Sequence, residues 1–388
     1  MAKKIFVINP GSASKKYALY EEGRELFYAH FETENGKILL TTKMPSGAEK
    51  INLEAADYQS AMEYVFNLMV EKGIIAGKDD LSAAGVRVVS PGDFFEEHRP
   101  IDEKYLAELK AISLEAPLHI VPTLKEIEAA VSLFPGLPLS GVSDSAFHKR
   151  KPAYARNYAI AGEDASRFGI YRFGYHGLSA QSVLRKLEKD LGSMPARVII
   201  CHLGGGASVT AVKDGASVEN SMGFSPLEGL PMSTRVGNID AGAVVYLAQK
   251  TGFTLTQLED YLNHKSGLLG LSGRTGDVRE LIELEKNNDR QAALALDVFA
   301  YAVKKYIGSY TAVLNGLDVL VFSGAIGERS PIMRARICNN LDELGILLDD
   351  EKNNLTVEQM GFVQKPGSAV KIAVIPTDEM AEIAREIP

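Results

Sequence analysis

Three times along this chain an apolar, β-branched run drops straight into a glycine turn: IFVINPGS at 5–12, RVIICHLGGGAS at 197–208 and VLVFSGAIGERS at 319–330. A continuous apolar run bounded by glycine marks a strand buried on both faces, which needs a layer packed on each side. The glycines allow backbone angles, and a close approach to a ligand, that a Cβ would block. Two shorter runs, AAGVRVVSPG at 83–92 and VKIAVIPTDE at 370–379, also place polar residues at the end of an apolar strand. Amphipathic helices lie between them. One spans 57–72, with Ala61, Val65, Leu68 and Met69 on one side and Gly73 as its stop. Another spans 289–314, with Leu296, Phe299, Val303, Ile307 and Tyr310 on one stripe, closed by Asn315-Gly316. Strands and helices mixed in this way predict α/β layers.

With 388 residues the chain is long for a single core, so two domains are expected. The first glycine turn lies in the N-terminal third and the second at mid-chain. This predicts two similar halves facing a cleft, the first built from 1–150 with 380–388 and the second from 151–379.

A net charge of −8 argues against nucleic acid or an anionic membrane as partner. Cys201, inside VIICHL, reads as an inert buried thiol, and with Cys338 it makes neither a disulfide framework nor a zinc site. The apolar stretch at 5–8 is too short for a signal peptide, and no run approaches the ~18 residues of a membrane span, so a cytoplasmic location is expected.

The chemistry-bearing residues gather at the strand ends. NPGSASKK offers backbone and hydroxyl donors to phosphate, with Lys15 or Lys16 adding charge, although a polar hairpin turn would look the same. HLGGGAS is the stronger signal, because three consecutive glycines are entropically costly unless something must come close. The spacing and downstream acid of a dinucleotide-binding loop are absent, and a phosphate-approach loop fits better. Arg87, His119, His176 and Arg235 are cationic or neutral donors in such places, with Asp144 and Glu379 as the carboxylates. That mixture suits phosphoryl transfer, which is mainly positioning and charge neutralisation, with two separated carboxylates to orient magnesium. His148 and His202 stand beside apolar strands and read as structural, and His30, His98 and His264 have no informative context.

In order the chain carries NPGSASKK, GVRVVSPG, APLH, DSAFH, RFGYHGLS, CHLGGGAS, SMGFSPLEGLPMSTR, KSGLLGLSG, FSGAIGE and IPTDE. From Asn9 to Glu379 this resembles the acetate kinase family, within the superfamily of sugar kinases, actin and heat-shock chaperones. The resemblance implies a two-domain actin-like α/β fold with an interdomain active-site cleft, and a homodimer. It also implies a reversible, magnesium-dependent reaction between a short-chain carboxylate and ATP or ADP. Asn9, Ser12, Ser14 and Lys16 match the first phosphate loop, with Asn9 near the metal. Arg87 and Arg235 match the arginines that hold the carboxylate and the transferring phosphoryl group. His176 matches the histidine that stabilises that group in flight, with His119 beside it. Asp144 and Glu379 match the magnesium-orienting acids. Val89, Leu118, Tyr175 and Pro226 match the apolar pocket for the acyl chain. His202 and the run Gly204, Gly205, Gly206, Ala207, Ser208 match the second phosphate loop. Asp277, Val278 and Arg279, with Ala325, Ile326, Gly327 and Arg329, match the adenosine site.

The chain departs from the family pattern inside the site. Pro10 and Ala13 alter the first loop, Ser90-Pro91 replaces two histidines after Arg87, and Ile120 replaces an Asn. Gly205 stands where acetate kinases carry Asn, Ala325 where they carry Gly, and Arg329 where they carry Asn. Tyr175 replaces a Phe and Ser233 a Gly, while NPGS and HLGGG look more like butyrate kinases. The principal acids, arginines and His176 are retained, so an acetate kinase is expected. A kinase for propionate or butyrate, a pyrophosphate-dependent enzyme and a nucleotide-binding regulator without turnover stay open as alternatives.

Overall fold

The computed structural model describes residues 2–11, 14–34, 37–54, 58, 60–115 and 117–388, with the backbone alone at 33–34, 37, 114–115 and 117–119. All five apolar runs are strands: β1 (Lys4–Pro10), β6 (Ala83–Val88), β9 (Arg197–Leu203), β12 (Val319–Ser323) and β14 (Lys371–Val374). The chain forms two compact units, residues 1–146 with 378–388 and residues 147–377. Glu379 therefore belongs with the first unit rather than at the end of the middle segment.

In the first unit the sheet order is β5-β4-β3-β2-β1-β6-β8-β7, where β2 is Ser14–Glu21, β3 Arg24–Glu34, β4 Lys37–Met44, β5 Gly47–Leu53, β7 Arg99–Pro100 and β8 Leu139–Ser143. β1, β6 and β8 run parallel, so Asn9, Arg87 and Asp144 all fall at the same end of the sheet. The helices Ala61–Glu71 and Pro117–Leu133 supply Val65, Met69, Ile127 and Ala130 to a core that holds Phe6, Ile8, Tyr17, Leu19 and Phe31. Burying side chains of this kind contributes roughly 1.5–3 kcal/mol each. The helix expected over 57–72 ends at Glu71, with Gly73 left-handed behind it (φ +67°), and the first part of that expectation lies outside the described residues. The C-terminal helix Glu379–Arg385 packs on β6 at Gly85. A Cβ at Gly85 would sit 2.7 Å from Ile387 and 2.9 Å from Ile383, so glycine is what lets that helix lie close.

In the second unit the order is β11-β10-β9-β12-β14-β13, with β10 Ala207–Lys213, β11 Ala216–Asn220 and β13 Gly361–Phe362. β9, β12 and β14 run parallel, and β10 returns antiparallel to β9. Order β3-β2-β1-β6-β8 in one sheet and β11-β10-β9-β12-β14 in the other is the same pattern, as two similar halves require. The helix Gly177–Leu191 brings Val183 and Leu187 against Val198, Ile200 and Val319, while the helix Arg290–Leu314 packs on β9 and β10. β9 and β12 are thus covered on both faces, which is why their sequences are almost continuously apolar. Asp289 caps the long helix by accepting from Gln291 and Ala292, and Asn315 ends it in the left-handed region. Among the described residues, no helix is long and apolar enough to cross a membrane.

Candidate active site

In the first unit, the ends of the parallel strands hold one connected polar group. Open α/β sheets bind ligands beyond such carboxyl ends. Arg87, from β6, donates through Nη2 to Asp144 Oδ2 at 3.0 Å and through Nε to Oδ1 at 3.4 Å. Its Nη1 donates to Asn9 Oδ1 at 3.3 Å and stands 3.8 Å from Glu379 Oε2. Asn9 in turn donates to Glu379 Oε2 at 3.2 Å. The Asp144 side chain is 0% exposed and that of Arg87 15%. Burial by itself lowers the pKa of the Arg87 guanidinium, but the charges of Asp144 and Glu379 and the bond to Asp144 outweigh it and raise the pKa. Asp144 extends the β6–β8 ladder by one step, its backbone N–H donating to Val88 at 2.9 Å. His98, which had no context in the sequence, accepts from the backbone N–H of the preceding Ser143 at 3.0 Å. That contact joins residues 45 apart, and no local pattern announces it.

Of the two lysines in the first glycine turn, Lys15 is committed to structure: it pairs with Glu126 at 2.7 Å, donates to the Tyr58 carbonyl and lies over the Tyr58 ring. Lys16 is the cross-strand partner of Asn9. Ser14 accepts the Gly11 N–H at 2.8 Å, while Ser12 lies outside the described residues. Val89 is half-buried just beyond β6. Leu118 and His119 lie on the helix Pro117–Leu133, and their side chains are outside what is described.

In the second unit, His176 stands at the start of the helix Gly177–Leu191 with φ +61°. A non-glycine residue in that region is strained and persists only where its surroundings hold it. Nδ1 bonds Ser208 Oγ at 2.9 Å, and the ring lies against His202, centroids 4.4 Å apart. A Cβ on Gly206 would sit 3.5 Å from His176 Nε2 and 3.7 Å from Arg235 Nη1, so these groups converge on the glycine loop. A Cβ on Gly205 would meet nothing within 4 Å, and one on Gly204 would come 3.2 Å from the Gly206 carbonyl. Two of the three glycines are therefore not required by the chain's own packing. Arg235 donates to the Pro226 carbonyl at 3.4 Å and approaches Met232 Sδ at 3.8 Å, both neutral. Burial lowers its pKa, and no carboxylate among the described residues compensates. Arg87 is thus charge-matched within its own unit, whereas Arg235 is a half-buried cation suited to an arriving anion.

Tyr175, buried, donates its hydroxyl to the Phe224 carbonyl at 2.6 Å, and Pro226 is buried nearby on the same loop. His148 is fully buried between Ser217 (2.8 Å) and the Tyr175 carbonyl (3.0 Å), and burial together with the Lys151 charge pushes its pKa down to about 3. This is a neutral structural histidine. His202, one residue before the end of β9, lies opposite Ser208 and Ser323 on the adjacent strands.

The adenosine-side residues fall on two short segments of this unit. Asp277 caps the helix Val278–Lys286 and holds Arg279, 2.6 Å between Oδ2 and Nη2, which keeps the Asp277 carboxyl below the usual range. The helix Gly324–Arg329 follows β12 directly. Gly324 has φ +74°, and a Cβ there would meet the Leu203 carbonyl at 2.7 Å, so only glycine makes this corner. Ala325 is exposed, Ile326 half-buried and Gly327 buried. Arg329 is tied to Glu358 at 2.7 Å in an exposed ion pair.

Residues 4–385 match the model of the acetokinase family. An acetate kinase of Heliobacterium modesticaldum is 40% identical over 392 residues, covering 98% of each chain. One of Methanosarcina thermophila is 41% identical over 392 residues, covering 99% of this chain and 96% of the other. Among solved structures, an acetate kinase of Porphyromonas gingivalis matches with TM-score 0.88 and 33% identity, covering 99% of this chain and 98% of that one. A propionate kinase of Francisella tularensis matches with TM-score 0.89 and 35% identity over the same shares. The expected actin-like α/β fold is therefore the fold of this chain.

Proposed function

This chain belongs to the acetokinase family and is a carboxylate-acceptor phosphotransferase, and on that premise we propose that it catalyses the reversible, magnesium-dependent transfer of the γ-phosphoryl group of ATP to acetate. The observation that carries the reading is the convergence of His176 Nε2 and Arg235 Nη1 on Gly206, with a charge-matched Arg87–Asp144–Glu379 group in the other unit.

The acceptor is a carboxylate with a pKa of about 4–5, already ionised at neutral pH, so no general base is needed. What the protein must do is lower the repulsion between two anions. Arg235 offers a fork of donors with no competing carboxylate among the described residues, and its half-buried position strengthens the field on an incoming phosphoryl oxygen. Ser208 holds His176 through Nδ1, which orients the other ring nitrogen toward the loop. Arg87, held by Asp144, presents a fixed guanidinium to the acid. The chemistry of the donor set fits magnesium: Glu379 and Asn9, adjacent at 3.2 Å, would hold the ion, which usually takes one or two protein ligands and completes its shell with water and phosphates. Bound there, it would neutralise phosphate charge.

Propionate is the second acid to test, because a solved propionate kinase matches with 35% identity and a solved acetate kinase with 33%. We also place the enzyme in the cytoplasm as a homodimer. Supporting the dimer, an open groove of about 690 Å³ in the second unit is lined by Leu247, Tyr261, Val298, Tyr301 and Tyr306. Tyr246 (60% exposed) and Tyr301 (65%) leave large apolar side chains on the same unit. Crossing acetate, propionate and butyrate with ATP, GTP and pyrophosphate, and trapping acyl phosphate as hydroxamate, tests the assignment. Highest kcat/KM for ATP with acetate is expected. Preference for another pair would reassign the substrate, and turnover with none would leave a nucleotide-binding protein.

A further inference from the structure

Arg334 is the largest fully buried side chain of the described residues, at 0% exposure. It lies on the helix Pro331–Cys338, outside every segment assigned a role above. Burying a cation without a carboxylate is costly unless every donor is satisfied. Here all five are, and by neutral oxygens only. Nε donates to Asn353 Oδ1 at 2.7 Å, Nη2 to the carbonyls of Asn353 and Thr356 at 2.7 Å each, and Nη1 to the carbonyls of Gly327 at 2.8 Å and Glu328 at 3.1 Å. Burial lowers the pKa to about 10, so the group stays charged at neutral pH.

The last two acceptors matter most. Gly327 and Glu328 are the final-turn carbonyls of the helix Gly324–Arg329, which have no partner inside a helix that short and which favour a cation. The same end is held again from residues 353–358. Glu358, itself at φ +55°, donates its N–H to the Glu328 carbonyl at 3.3 Å and pairs with Arg329. At the other end, the Glu328 carboxylate accepts from Gly324 N–H at 2.8 Å and Thr377 N–H at 3.4 Å.

We infer that Arg334 is a positioning residue for the nucleotide: it clamps the helix Gly324–Arg329 to the segment 353–358 and so sets where Ala325 and Ile326 meet the adenosine. This rests on the reading of that helix as part of the nucleotide site. A six-residue helix carries too few internal bonds to hold its own pose, and a shift of about 1 Å in a binding element is enough to weaken what it contacts. Arg334 touches no reacting atom, so its loss acts on nucleotide affinity and spares the acid.

Three variants of the full chain test this, with thermal unfolding as the check of folding. Arg334→Lys keeps the charge with fewer and differently directed donors, and should raise KM for ATP about tenfold while KM for acetate moves less than about twofold. Asn353→Ala removes one acceptor without touching the cation and should move KM for ATP in the same direction by a smaller factor. It decides the matter if Arg334→Lys does not fold. Ala325→Trp, on the exposed face of the same helix, should block ATP directly. If Ala325→Trp raises KM for ATP while folded Arg334→Lys and Asn353→Ala leave it unchanged, or lower affinity for both substrates equally, the positioning role is wrong. If Ala325→Trp leaves KM for ATP unchanged, the helix is not part of the nucleotide site, and that reading fails whatever Arg334 does.

Discussion

Replacing each of the two site arginines by alanine should abolish activity alike but change stability differently. Arg87 is bound bidentately to an Asp144 side chain that is 0% exposed. Removing one partner of a buried pair strands the other charge and costs about 3–5 kcal/mol. At about 2–4 °C per kcal/mol for a unit of this size, Tm should fall by roughly 6–20 °C. Among the described residues Arg235 has only a carbonyl at 3.4 Å and a thioether at 3.8 Å, and burial already disfavours its charge. Its removal should change Tm by no more than about 2 °C, since no strong bond is lost. Its effect is on the reaction. A unit charge about 4 Å from a phosphoryl oxygen, at an effective dielectric of about 20, is worth ~4 kcal/mol, or roughly 10³-fold in kcat. Hydroxamate trapping gives the rates and calorimetric unfolding the stabilities. The double variant Arg87→Ala/Asp144→Asn should recover most of the lost Tm without recovering turnover. Equal Tm losses in the two single variants, or kcat within about tenfold of wild type for Arg235→Ala, would refute the distinction.

Three further outcomes follow from the same geometry. Gly205→Asn should fold as wild type, because its Cβ enters open space, and should lower KM for ATP about tenfold by restoring a donor to a charged acceptor, as steady-state kinetics would read. Gly206→Ala places a methyl 3.5 Å from His176 Nε2 and 3.7 Å from Arg235 Nη1, so kcat should fall about tenfold or more while Tm holds. His148 takes up its proton at about pH 3 in the folded chain and at about 6.5 when unfolded, so the wild type loses up to ~1.4 kcal/mol per pH unit as pH falls through that window. His148→Gln should flatten that acid limb in urea titrations at pH 6.5, 5.5 and 4.5, and an unchanged slope would remove His148 from it.

The strands were readable because their physics is local. β1, β9 and β12 are covered on both faces, so burial is written as continuous apolar sequence, and glycine marks where each strand stops. The repeated order of the two sheets follows from the position of those runs. What stayed hidden depends on distant partners. Lys15 and Lys16 are adjacent in sequence, and Glu126 and Tyr58, folded in from other elements, tell them apart. His98 acquires its role from Ser143 and Arg334 from Asn353 and Thr356. Arg334 in particular reads as one more arginine in RARIC until its burial is known. Arg329, matched to the adenosine site by resemblance, likewise has its guanidinium engaged by a residue distant in sequence, Glu358. Such a surface pair is worth only about 0–1 kcal/mol, so a phosphate could draw it away at low cost.

The central claim, that a carboxylate oxygen of the acid attacks the terminal phosphorus of the nucleotide, is tested most directly by the ³¹P spectrum of the products formed from ATP and ¹⁸O-labelled acetate. Direct transfer predicts ADP together with acetyl phosphate whose phosphorus signal carries the isotope shift of a bridging ¹⁸O. Formation of AMP and pyrophosphate, or an acyl phosphate without the label at phosphorus, would contradict it.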